Sequence, residues 1–107
     1  MTDDEINKAI AEACGIVGKD QWGPLYRTKD GVVRNCPDYC KDLNAMHEAI
    51  RIFDYEQCEE FEEHLCDICE RANDEAENPA PWRFAVVHAT ARQRAEAFLR
   101  TINLWKP

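Results

Sequence analysis

Ile6, Ala9, Ile10 and Ala13 recur at helical spacing behind Thr2 and Glu5, which stand three residues apart as in a capping box. The stripe runs up to Gly15, a residue suited to the left-handed backbone just past a helix end, so the spacing predicts a first helix here. Trp22 to Pro24 reads as a loop. Leu25-Tyr26-Arg27-Thr28 and Val32-Val33-Arg34 flank Lys29-Asp30-Gly31, and an Asp-Gly between β-prone residues predicts a hairpin over about 25–34. Strands this short need other elements to pack on.

Pro37 breaks the chain ahead of Asp38, which is placed to cap a short turn into a second helix. Leu43, Met46, Ile50 and Phe53 form its apolar stripe, with His47 at the edge. The pattern restarts near Asp54. Tyr55, Cys58, Phe61, Leu65, Cys66, Ile68, Cys69 and Ala72 make an apolar face about 160° wide at about 100° per residue, opposite Glu60, Glu63, His64, Asp67 and Arg71. This predicts a third helix; its continuity with the second is left open. Asn-Pro-Ala-Pro at 78–81 ends any helix. Trp82-Arg83-Phe84-Ala85-Val86-Val87-His88 suits a strand. Thr90 with Gln93 is a second capping box, opening a helix over 91–102 with Ala91, Ala95, Phe98, Leu99 and Ile102 on one face. Asn103 is placed to end it, with Leu104 and Trp105 folding back over the last turn. The expected fold is α+β: a small antiparallel sheet (hairpin 25–34 plus strand 82–88) packed with three to four helices.

Size and charge narrow the classes. A chain of 107 residues forms one domain with a modest core. The opening Met1-Thr2-Asp3-Asp4-Glu5 is the reverse of a secretory signal, and no apolar run approaches the length needed to cross a bilayer. A cytoplasmic location with six reduced cysteines is therefore expected. The net charge of −8 is uneven. Residues 48–78 hold twelve acids against Arg51 and Arg71, a local −10, while residues 79–107 hold five basic residues against Glu96, a local +4. Direct nucleic-acid binding is disfavoured, because neutralisation of phosphates by Lys and Arg dominates that affinity.

Candidate chemistry starts with the thiols. Cys36-x-x-x-Cys40 and Cys66-x-x-Cys69 have the spacing of two halves of a four-thiolate zinc site, with His47 and His64 as substitutes. The glycines and small polar residues usual around a zinc knuckle are missing, and Cys58, Cys66 and Cys69 fall in the apolar stripe, where a reduced Cys packs as a small hydrophobe. Core packing is the favoured reading, with no metal and no cofactor. A thioredoxin-type redox pair needs its first Cys at a helix N-terminus; Cys66 sits late in an acidic helix. His47-Glu48 lacks the second histidine of a zinc-protease motif, since position 51 is Arg51. No Gly-rich phosphate loop or nucleophile elbow is present. Glu62 lies inside the apolar wheel face, placed either to reach solvent or to pair with Arg92 or Arg94, which flank the last helix's stripe.

Four stretches taken together resemble a known family: Thr2-Asp3-Asp4-Glu5-Ile6 and the helix it opens, Pro37-Asp38-Tyr39, Asp42-Leu43-Asn44-Ala45-Met46-His47-Glu48-Ala49, and Ala89-Thr90-Ala91-Arg92-Gln93-Arg94-Ala95-Glu96-Ala97-Phe98-Leu99-Arg100-Thr101. Their order and content are similar to the phage ABA sandwich domain family, small bacteriophage and prophage proteins. The resemblance implies a sheet between helical layers and a host bacterial cytoplasm, and brings no activity with it. Asn44, His47, Glu48, Arg92 and Arg94 are the polar motif residues it singles out for binding. Cys36 and Cys40 stand where the family usually has apolar residues, and the acidic segment 54–78 is peculiar to this chain.

The expected function is a non-enzymatic phage accessory module that binds a host or phage protein, contacting neither membrane nor nucleic acid directly. Its face would be Glu59, Glu60, Glu63, Asp67 and Glu70. One sharper form is mimicry of a phosphate row, occupying a DNA-binding protein. The alternatives are a solvated face that keeps the chain in solution, a zinc-stabilised domain on Cys36, Cys40, Cys66 and Cys69, and a small enzyme around Asn44, His47 and Glu48. Oligomeric state is not legible.

Overall fold

The computed structural model describes residues 1–19, 25–28, 33–35, 37–78 and 81–107, with 16–19, 25–28, 33–35 and Trp82 described along the backbone only. The expected loop at 22–24, the turn at 29–31 and Cys36 lie outside the described residues.

Helix α1 spans Asp3–Ala13 and opens on the expected capping box: the Thr2 hydroxyl accepts from the Glu5 amide at 3.2 Å, and the Thr2 amide donates back to the Glu5 carboxylate at 3.4 Å. It ends where Gly15 takes φ 84°, a conformation that a Cβ would disfavour. Ile6, Ile10 and Ala11 are fully buried.

Three short strands follow, β1 (Ile16–Lys19), β2 (Leu25–Thr28) and β3 (Val33–Asn35), paired antiparallel in that order. Leu25 faces Asn35 and Arg27 faces Val33 across β2 and β3. The ladder does not become the middle layer of a sandwich, because the segment meant to extend it is helical.

That segment is α4, Trp82–Val87, started by Pro81. Ala85, Val86 and Ala89 face inward while Phe84, Val87 and His88 face outward, which is helical periodicity and not alternation. Aromatic and β-branched residues favour a strand only weakly, and packing against the third helix overrides that preference. Every described core residue lies in a helix or in the turns at Tyr39–Cys40 and Ala89. Among the residues whose side chains are described, the packed body is therefore all-α, and the α+β sandwich expected from pattern and resemblance is overturned.

Helix α2, Leu43–Ala49, is capped by Asp42, whose carboxylate accepts from the Asn44 and Ala45 amides at 2.9 and 3.3 Å. Asp38 serves the preceding turn: its carbonyl accepts from the Asp42 amide at 2.8 Å. The second and third helices are separate. α2 tightens into a 3₁₀ turn at Ile50–Ile52, Phe53 is extended, and Asp54 caps α3, Tyr55–Asp74, through a reciprocal box with Gln57.

The buried stripe of α3 is narrower than the wheel suggested. Phe61, Leu65, Ile68 and Cys69 are buried, whereas Cys58 and Ala72 are exposed and Tyr55 is 78% exposed. Neighbours reach only that stripe. Helix α5, Ala91–Thr101, lies across α1, α2 and α3 and buries Ala91, Ala95, Ala97, Phe98, Leu99 and Thr101. Small alanines let its backbone approach neighbours on two sides. Phe53 links α2 and α3 to it, stacking on Phe98 at 4.7 Å and meeting Phe61 at 5.9 Å.

α5 opens on the Thr90–Gln93 box and closes as expected at Asn103. Asn103 takes φ 62°, its amide donates to the Arg100 carbonyl at 3.2 Å, and the Leu104 amide donates to the Leu99 carbonyl at 2.8 Å. Trp105 then folds back beside Arg92 and Arg100. Among the described residues, no helix is long and apolar enough to cross a membrane.

Candidate functional site

The 20 residues of α3 carry eight acids, Glu56, Glu59, Glu60, Glu62, Glu63, Asp67, Glu70 and Asp74, against Arg71. With Phe61, Leu65, Ile68 and Cys69 turned inward, all eight stand exposed on the outer side. Glu62, which fell inside the apolar face on the wheel, reaches solvent. The ion pairs among the described residues are Asp3–Arg92 at 3.0 Å, Glu96–Arg100 at 3.0 Å and Glu48–Arg51 at 3.4 Å; the acids of α3 enter none of them. Arg71 donates from Nε to the Asp67 backbone carbonyl at 3.5 Å and not to a carboxylate. Among the described ion pairs, none therefore neutralises a carboxylate of α3.

Glu59, Glu62, Glu63, Cys66 and Asp67 line an open depression on α3. Burial pushes the Cys66 thiol up, and the neighbouring Glu62, Asp67 and Glu70 carboxylates push it further, the reverse of what a nucleophilic thiolate requires. Packed against α3, the short α4 exposes Phe84 by 55% and Val87 by 70%, with the Phe84 and His88 rings tilted against each other at 4.1 Å. An acidic surface and exposed apolar side chains therefore belong to two helices in direct contact. The apolar component was missed from sequence, because a strand reading of 82–88 turned Phe84 and Val87 to opposite faces.

The motif residues serve other ends. Arg92 donates from Nε to Asp3, tying α5 to α1, and lies 5.9 Å over the Trp105 ring. Its cation holds the Asp3 carboxyl below the usual carboxylate range. Arg94 donates to the Ala89 and Val87 carbonyls at 3.2 and 3.3 Å, clasping the end of α4 to the start of α5. Asn44, His47 and Glu48 are exposed on α2, and Glu48 pairs with Arg51. Among the described residues, no hydrogen bond or ion pair joins Asn44, His47 or Glu48 to Arg92 or Arg94. Asn7, which sequence reasoning passed over, joins two motifs: its amide donates to Asp38 and its oxygen accepts from the Cys40 amide, both at 3.2 Å.

The thiols are similarly placed. Cys40 is buried against α1, with its Sγ 3.9 Å from the Asp3 carbonyl. Burial and the Asp3 charge raise its pKa to about 11. Cys69 is buried with its Sγ 4.0 Å from the Gln93 side-chain oxygen, under the α5 cap. Among the described residues, no three His, Cys, Asp or Glu side chains converge where an ion would sit, and Cys36 is outside them. Comparisons with protein-family models, curated proteins and solved structures find no match to this chain.

Proposed function

We propose that this chain is a non-enzymatic protein-binding module whose docking face is the acidic side of α3 together with the exposed apolar side chains of α4. The observation that carries the reading is the set of eight exposed carboxylates that enter no ion pair among the described residues, on a helix in contact with the one that exposes Phe84 and Val87. A partner suited to it presents lysines or arginines around one or two apolar anchors. Such electrostatic complementarity sets encounter rate and selectivity, while buried apolar contacts hold the complex. A phage accessory role in a bacterial cytoplasm is the setting the sequence motifs suggest; with their sandwich fold not formed, they add the setting alone.

The test is affinity capture from bacterial lysate at low and high salt, with the parent chain and two variants run in parallel. One variant neutralises Glu59, Glu63, Asp67 and Glu70 by amide substitution, and the other is Phe84→Ala with Val87→Ala. The reading expects a protein retained by the parent at low salt and lost from both variants. Equal recovery on all three, or an empty eluate from the parent, would overturn it. A second reading, imitation of a phosphate row, is favoured by the length of the unpaired acidic face, about 30 Å for a helix of this size. It requires that the captured protein bind DNA and that added duplex DNA displace it.

A further inference from the structure

We draw no further inference here: the strongest candidate, the open depression between α3 and the C-terminal turn of α5 lined by His64, Arg100, Asn103 and Trp105, carries nothing because its Arg100 is already paired with Glu96 and set over the Trp105 ring, and nothing in the structure points to a ligand there.

Discussion

Single side chains here divide sharply into those that hold the body together and those that do not. Phe98 is fully buried and stacked on Phe53, so Phe98→Ala removes both an interior side chain and an aromatic contact. Such truncations cost about 3–5 kcal/mol, and urea denaturation should read a loss in that range. Arg92→Ala, by contrast, breaks an ion pair whose side chains are 41% and 51% exposed and screened by solvent, so urea denaturation should read a far smaller loss than for Phe98→Ala. Cys40 gives a pH-dependent case. Its folded pKa is raised to about 11 from an ordinary 9.0, so the unfolded chain gives up this proton first. The stabilisation is complete below about pH 9 and is lost as pH rises through about 11. Cys40→Ala should flatten that alkaline limb when urea midpoints are followed against pH. In the parent, iodoacetamide should label Cys58, which is exposed, well before Cys40. Equal labelling rates would mean that Cys40 is not enclosed.

Elements whose signals are local were legible in the chain, and those decided by packing were not. Both Thr capping boxes, the Gly15 stop and the turn-back at Asn103 depend on residues within four or five positions of one another, so pattern alone placed α1 and α5. The 82–88 segment is different. Val86, Val87 and the aromatics suited a strand, but a helix packed on α3 sets Ala85 and Val86 against the core. The width of α3's buried face depended on how many neighbours reach it, which no helical wheel contains. The acidic half of the candidate site was fully legible for the same reason the caps were: it lies on one helix. The Arg94 clasp was not, because its acceptors are backbone carbonyls of a helix that was not expected. Replacing Arg94 by Ala leaves those carbonyls to water and frees the α4–α5 corner. A loss of about 1–2 kcal/mol is expected, with earlier hydrogen exchange in α4 than in α1. Arg94→Lys should recover only part of it, since an ammonium lacks the planar fork that spans two acceptors.

At the scale of the whole molecule, charge is the feature that the fold itself does not explain. The described interior is apolar, no buried side-chain polar atom among the described residues lacks a partner, and the described ion pairs bind α1 to α5, lie within α5, or join α2 to the 3₁₀ turn that follows it. None of this needs the eight acids of α3, which repel one another along a single face. Neighbouring like charges four apart on a helix cost a few tenths of a kcal/mol each, and salt screens them. A chain carrying Glu59→Gln, Glu63→Gln, Asp67→Asn and Glu70→Gln should therefore melt at or above the parent's temperature. Its melting temperature should also respond less to added salt. The same variant is expected to lose the captured partner. These two outcomes separate function from architecture: a surface kept for folding would weaken the protein when neutralised, whereas a surface kept for recognition would leave it as stable and deprive it only of its ligand. A fall in melting temperature of several degrees in the quadruple variant would place the acids in the folding energetics and remove the basis for treating α3 as a docking face.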